Sequence, residues 1–104
     1  MSLIKVVRHS NNQILSEQEI EAHLFKEGYQ PFKWNDVAGV TYPRHVHTVE
    51  ECIWVVKGEI IFEVDGQEYH LKAGDKIYLP ANARHSAKVP TAASVTYFIG
   101  QKNN

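Results

Sequence analysis

The sequence predicts an all-β domain, a sandwich or barrel of short strands preceded by one strand and one helix. Three observations predict it. Beyond Gly28, β-branched and aromatic residues recur with period two in short runs. Turn-forming residues punctuate those runs, and Asp65-Gly66 is the strongest of these signals. One segment alone, from Ser16 to Gly28, carries helix start and stop signals.

Taken in order, Leu3 to Val7 reads as a strand. Ser16-Glu17-Gln18-Glu19 has the form of a capping box, in which the Ser16 hydroxyl and the Glu19 carboxylate each satisfy an orphan amide. Ile20 and Leu24 then share one face, and Gly28 suits a left-handed stop, giving a helix of about three turns. Strands are expected around Lys33–Asn35, Val40–His47, Glu51–Val56, Glu59–Val64, Gln67–Leu71, Lys76–Leu79, Arg84–Val89 and Ser94–Ile99. Asp65 and Gly66 both tolerate positive φ, as a two-residue type I′ hairpin requires. Gly58, Gly74-Asp75 and Pro80-Ala81-Asn82 mark other turns. The 104 residues suffice for one core and are too few for two. No repeat or linker divides them, so a single domain over 1–104 is expected, with 1–30 packed on a barrel core of 31–100.

Composition excludes several function classes. Eleven basic residues nearly balance twelve acidic ones, for a formal net charge of −1. That leaves neither the basic face needed for nucleic acid nor one for anionic lipid. The longest strongly apolar run, Cys52-Ile53-Trp54-Val55-Val56, is far short of a membrane span. Residues 1–8 alternate with charge too soon for a secretory signal, and a lone cysteine cannot close an internal disulfide. A cytoplasmic location is the expectation.

The informative feature is the placing of the six histidines. His45 and His47 lie two apart in an expected strand, so their side chains share a face roughly 6.6 Å apart at Cα. Glu51 has the same parity, as do Ile53 and Val55 beyond it. If these odd positions face a barrel interior, three polar side chains enter an apolar lumen, a costly arrangement that a divalent cation would offset. Glu50 competes with Glu51 as the carboxylate, since a bulge near Thr48 would invert the parity. Parity favours Glu51.

The stretch Gly39 to Gly58 resembles the first cupin motif: glycine, five residues, His-x-His, three residues, Glu, six residues, glycine. Gly39, His45, His47, Glu51 and Gly58 meet every spacing. Gly74 to His85 resembles the second motif at Gly74, Pro80 and His85, after a 15-residue spacer. Two positions depart from the pattern: Asn82 stands for a glycine and Val89 for an asparagine. Asn best tolerates the left-handed backbone that a glycine would adopt.

The resemblance implies a small cupin jelly-roll β-barrel with His45, His47, Glu51 and His85 as ligands of one divalent transition metal. Three imidazoles and a carboxylate suit Fe, Mn, Ni, Zn, Co or Cu, and differ from all-oxygen calcium or magnesium sites. Four protein ligands leave positions open on a six-coordinate metal, which favours chemistry on a small organic molecule of dioxygenase, isomerase or lyase type. A non-catalytic cupin binding or sensing a small ligand or metal stands beside that reading, and a barrel with a vestigial site is a third. No separate catalytic acid or base is evident. Phe62 and Tyr97 fall on expected inward faces and are candidates for the substrate pocket. Cys52, His9, His23, His70 and Arg84 read as packing or surface residues. Trp54, Val56 and Ile61 read as an outward apolar surface, to be covered by the N-terminal helix or by a second subunit. The resemblance favours a homodimer.

Overall fold

In the computed structural model, which describes residues 4–9 and 15–102, the helix begins where its cap dictates. The Ser16 hydroxyl accepts from the Glu19 amide at 3.1 Å, and Glu19 Oε1 accepts from the Ser16 amide at 2.9 Å. The helix α1 (Glu17–Lys26) buries Ile20 and Leu24 and ends before Gly28, at φ +91°. Among the described residues it lies between β1 (Lys5–Val7) and β2 (Tyr29–Asp36), followed by β3 (Thr41–His45), β4 (Glu51–Lys57), β5 (Glu59–Val64), β6 (Gln67–Lys72), β7 (Lys76–Leu79), β8 (His85–Lys88) and β9 (Val95–Lys102). Leu3, the expected start of the first strand, lies outside the described residues.

The strands form two antiparallel sheets of an all-β jelly roll, one ordered β1-β7-β4-β9-β2 and the other β3-β8-β5-β6. β2 is longer than the expected Lys33–Asn35 because it pairs with the whole of β9, from Tyr29 opposite Lys102 to Asp36 opposite Val95. Its Pro31 lacks a donor, which an edge strand tolerates. The Asp65-Gly66 turn between β5 and β6 has positive φ at both residues, 52° and 81°, and Asn82 takes up φ 67°. At Gly58, φ is +86° and an added Cβ would lie 2.4 Å from the Ser94 carbonyl oxygen, so glycine is required twice over.

Two cores result. Between the sheets pack Ile53, Val55, Ile60, Phe62, Leu71 and Ile77, with other strand residues. On the outer face of the five-stranded sheet, α1 covers Cys52, Trp54 and Phe98 with Ile20 and Leu24. β4 is therefore buried on both faces, with Glu51, Ile53 and Val55 toward the lumen and Cys52 and Trp54 under the helix. Fully burying a side chain such as Leu24 or Ile77 contributes roughly 1.5–3 kcal/mol.

This arrangement corrects the expectation that Trp54, Val56 and Ile61 form one outward surface. Trp54 is only 6% exposed, beneath α1, and Ile61 sits on β5 in the other sheet. Trp54 and Val56 share the outer face of β4, which α1 covers as one of the expected alternatives had it, whereas Ile61 lies on the opposite layer and does not join them. The N-terminal strand is fastened at its end by Asp75, which accepts from the His9 amide at 2.8 Å and pairs with Arg8 at 3.1 Å. No helix among the described residues is long and apolar enough to cross a membrane.

Candidate metal centre

His45 is the last residue of β3 and His85 the first of β8, and they are direct partners in the register of that pair. The ladder is irregular between Tyr42 and His45. β3 then stops, against the expectation of a strand reaching His47. The chain leaves the four-stranded sheet, crosses through residues 46–50 and enters the five-stranded sheet at Glu51. Period-two parity does not carry across such a crossing. Glu51 faces inward because β4 has its own alternation, in which Ile53 and Val55 follow it into the lumen. His47 is held off the strand by its carbonyl, which accepts from the Asn82 amide at 2.8 Å, so the turn before His85 fixes both histidines.

The three imidazoles converge. Each offers one nitrogen to a group whose members lie within 4.8 Å of one another. Ring centroids are 4.8 Å apart for His45 and His47, 4.5 Å for His45 and His85, and 5.4 Å for His47 and His85. Glu51, 3% exposed, reaches this group through His47: its Oε1 lies 3.6 Å from His47 Nε2. Its other oxygen accepts from Gln101 Nε2 at 2.8 Å. Glu50 turns the other way, accepting from the Tyr29 hydroxyl at 2.6 Å.

The donor set suits a metal ion in one further respect. His45 Nδ1 lies 2.7 Å from the Pro43 carbonyl, and His85 Nδ1 lies 3.0 Å from the Ala83 carbonyl. A carbonyl only accepts, so in a neutral ring the proton belongs on Nδ1 and the Nε2 lone pair is free to ligate. Burial lowers the pKa of His85, and the neighbouring His45 and His47 add to this against the hydrogen bond to Ala83. The unprotonated, ligating form is thereby favoured.

The histidines line one side of a cavity of about 530 Å³. Phe62 and Tyr97, singled out as inward, line it too, and both are buried. Phe32, Trp34 and Tyr42 complete an aromatic wall that the sequence reading passed over. So did it pass over Asp36, 7% exposed, whose carboxylate accepts from Tyr97 at 2.6 Å, Tyr42 at 2.6 Å and Trp34 Nε1 at 3.1 Å. The available signal was parity: 32, 34 and 36 alternate along β2 opposite Ile99, Tyr97 and Val95. Burial, with the hydrogen bond to Asp36, raises the pKa of Tyr97.

The remaining candidates stay outside this cavity. Cys52 is fully buried under α1, where burial pushes its thiol up to about 12. His23 lies against Trp54, and the exposed His70 pairs with Glu68 at 3.2 Å. The ring of His9 abuts Gly74, and Arg84 is exposed.

A family model described as a cupin domain matches residues 34–99. Among solved structures, a chain from crystal structures of DMSP lyases is 24% identical with a TM-score of 0.66. That match covers 72% of this chain and 38% of the other. A polyketide cyclase from Streptomyces resistomycificus is 16% identical, with a TM-score of 0.64 over 70% of this chain and 53% of its own. An RmlC-like cupin from Shewanella frigidimarina is 26% identical, with a TM-score of 0.60 over 74% and 69%. The chain thus spans between about a third and a half of the lyase and cyclase chains. No curated protein matches it.

Proposed function

This chain belongs to the cupin family, and we propose that it holds one divalent transition-metal ion and acts as a metal-dependent enzyme on a small organic molecule in its barrel. The observation that carries the proposal is the convergence of His45, His47 and His85 on the wall of a cavity of about 530 Å³. Glu51, outside that group of three but with Oε1 3.6 Å from His47 Nε2, would supply the fourth ligand. A bound ion of Fe, Mn, Ni, Zn, Co or Cu would supply Lewis-acid or redox chemistry there.

The chain's own residues do the rest. Pro43 and Ala83 carbonyls orient the His45 and His85 rings, and Gln101 holds the outer oxygen of Glu51. Phe62 and Ile53 exclude water from the inner wall, which strengthens every polar contact made by a ligand beside the histidines. Tyr97 and Phe62 are the residues against which the substrate packs.

One observation favours the alternative of a non-catalytic module that binds a small ligand or metal. The Tyr42 and Tyr97 hydroxyl protons are both committed to Asp36, so neither is free to serve as a general acid. Turnover of a panel of small diketones, sugars and amino acids by protein loaded with each metal separates the two. Turnover with one metal, lost on removing it, supports the enzyme. Ligand-induced stabilisation with no turnover across the panel supports the module.

The wider reading is of a cytoplasmic homodimer, free of nucleic acid and membrane. Its second copy would cover apolar side chains that remain open, such as Phe25 at 55% and Phe32 at 50% exposure. Sedimentation equilibrium showing only monomer at tens of micromolar would remove the dimer.

A further inference from the structure

Away from the histidines the cavity is walled by Phe32, Trp34, Tyr42 and Tyr97, and the Asp36 carboxylate is buried behind them. Along β9, Gln101 lies opposite Glu51 and Tyr97 lies opposite Trp34. Those positions lie four residues apart on one strand, about 13 Å at the backbone. At the Tyr97 end, three donors point into one buried carboxylate: Tyr97 at 2.6 Å, Tyr42 at 2.6 Å and Trp34 at 3.1 Å.

This geometry sets the polarity of the wall. Both phenol protons are directed at Asp36, and the Tyr42 oxygen also accepts from Trp34 Nε1 at 3.3 Å, so toward a ligand the hydroxyl oxygens can turn only their remaining lone pairs. Such oxygens accept hydrogen bonds and repel anions. Around them stand the rings of Phe32, Trp34 and Tyr42, whose faces attract cations. No basic side chain offsets the carboxylate: among the described residues none pairs with Asp36, and the cavity's Lys33 is drawn to Glu17 at 3.0 Å. A carboxylate or phosphate on a ligand would find at this end only Lys33 among the lining residues, its ammonium already paired with Glu17.

We infer that the aromatic end of the cavity, backed by the Asp36 carboxylate, is a cation subsite, which takes a methylated ammonium or a similar bulky organic cation carried by the ligand whose other end faces the histidines. The inference rests on the proposed function, in that it names the ligand class of the same cavity. The substrate is then a small bifunctional molecule, with an oxygen donor for the metal and a cationic group between Trp34, Tyr42 and Tyr97. A cluster that merely braced β2 against β3 and β9 would leave the cavity indifferent to ligand charge.

The test uses metal-free full-length protein and two probes of nearly the same shape, choline and 3,3-dimethylbutan-1-ol, which differ in the charge of the central atom. Binding is followed by Trp34 fluorescence and by calorimetry. Choline is expected to bind at least about tenfold more tightly than the neutral alcohol. Asp36→Asn should abolish that preference. Trp34→Ala should reduce it and spare the fold, since Trp34 is 49% exposed. The wild-type comparison stands even if Asp36→Asn fails to fold. Equal affinity for the two probes, binding of neither, or a preference retained in a folded Asp36→Asn protein would overturn the inference. Metal content measured in parallel separates the two readings. Protein that binds no metal yet prefers choline loses the metal site and keeps the subsite; protein that binds metal yet ignores probe charge loses the subsite alone.

Discussion

His45 and His85 face each other across the β3–β8 pair, rings 4.5 Å apart, and each directs its Nδ1 at the carbonyl two residues before it. The repeated device sets both tautomers, so both Nε2 lone pairs are available to one ion. Replacing either histidine by alanine should therefore weaken metal binding by more than the ~10–100-fold lost when an outer hydrogen bond to a ligand is removed. Competition with a chelator measures this, and unchanged affinity in either variant would remove that histidine from the site.

Glu50 and Glu51 are neighbours in sequence with opposite surroundings. Glu51→Gln replaces an anionic ligand by a poor neutral one and should weaken metal binding strongly. Glu50→Gln should leave metal affinity unaltered. Its cost is to the hydrogen bond with Tyr29, about 1 kcal/mol of stability. The same chelator titration, run beside a denaturant series, reads both effects. Equal losses of metal affinity would contradict the inward placing of Glu51 alone.

The metal-free protein should lose stability as pH falls through about 6.5, the ordinary value for His85. Burial and the two nearby histidines place the folded pKa lower. Between the folded value and 6.5 the unfolded chain binds more protons than the native one, so stability rises with pH across that window. Denaturant midpoints at pH 5.5 and 7.5 should differ more for wild type than for His85→Gln. A difference of the same size in both would assign the pH response to other groups.

Trp54 belongs to the helix-covered core, so its removal should act on folding. Trp54→Ala is expected to cost about 3–5 kcal/mol, through a cavity beneath Ile20 and Leu24 and loss of the Lys76 ammonium 4.1 Å from the ring centroid. Chemical denaturation followed by circular dichroism measures it. A loss below about 1 kcal/mol would mean that α1 is not docked on this face.

Local chemistry was readable wherever a few adjacent residues decide the outcome. Ser16 with Glu19, Asp65 with Gly66, and Asn82 at positive φ all follow from neighbouring side chains and backbone sterics. The inward face of β4 was readable for the same reason. Layer membership was not. That β4 and β5 join different sheets depends on long-range pairing, so Trp54 and Ile61 were grouped on one surface although a whole barrel separates their faces. The crossing at 46–50 was likewise hidden, because His45, His47 and Glu51 happen to share parity through a segment that is not a strand. Asp36 escaped notice because its significance lies in Tyr42 and Tyr97, which only the register of β2 on β9 and the return of β3 bring to it.

The most direct test of the central claim is metal content in protein purified without a histidine tag, combined with X-ray absorption at the edge of whatever metal is found. The account predicts one transition-metal ion per chain with imidazole scattering from three histidines, at about 2.0–2.1 Å if the metal is zinc. Protein that stays well below one ion per chain after incubation with each candidate metal, or a bound metal with no imidazole in its shell, would contradict it.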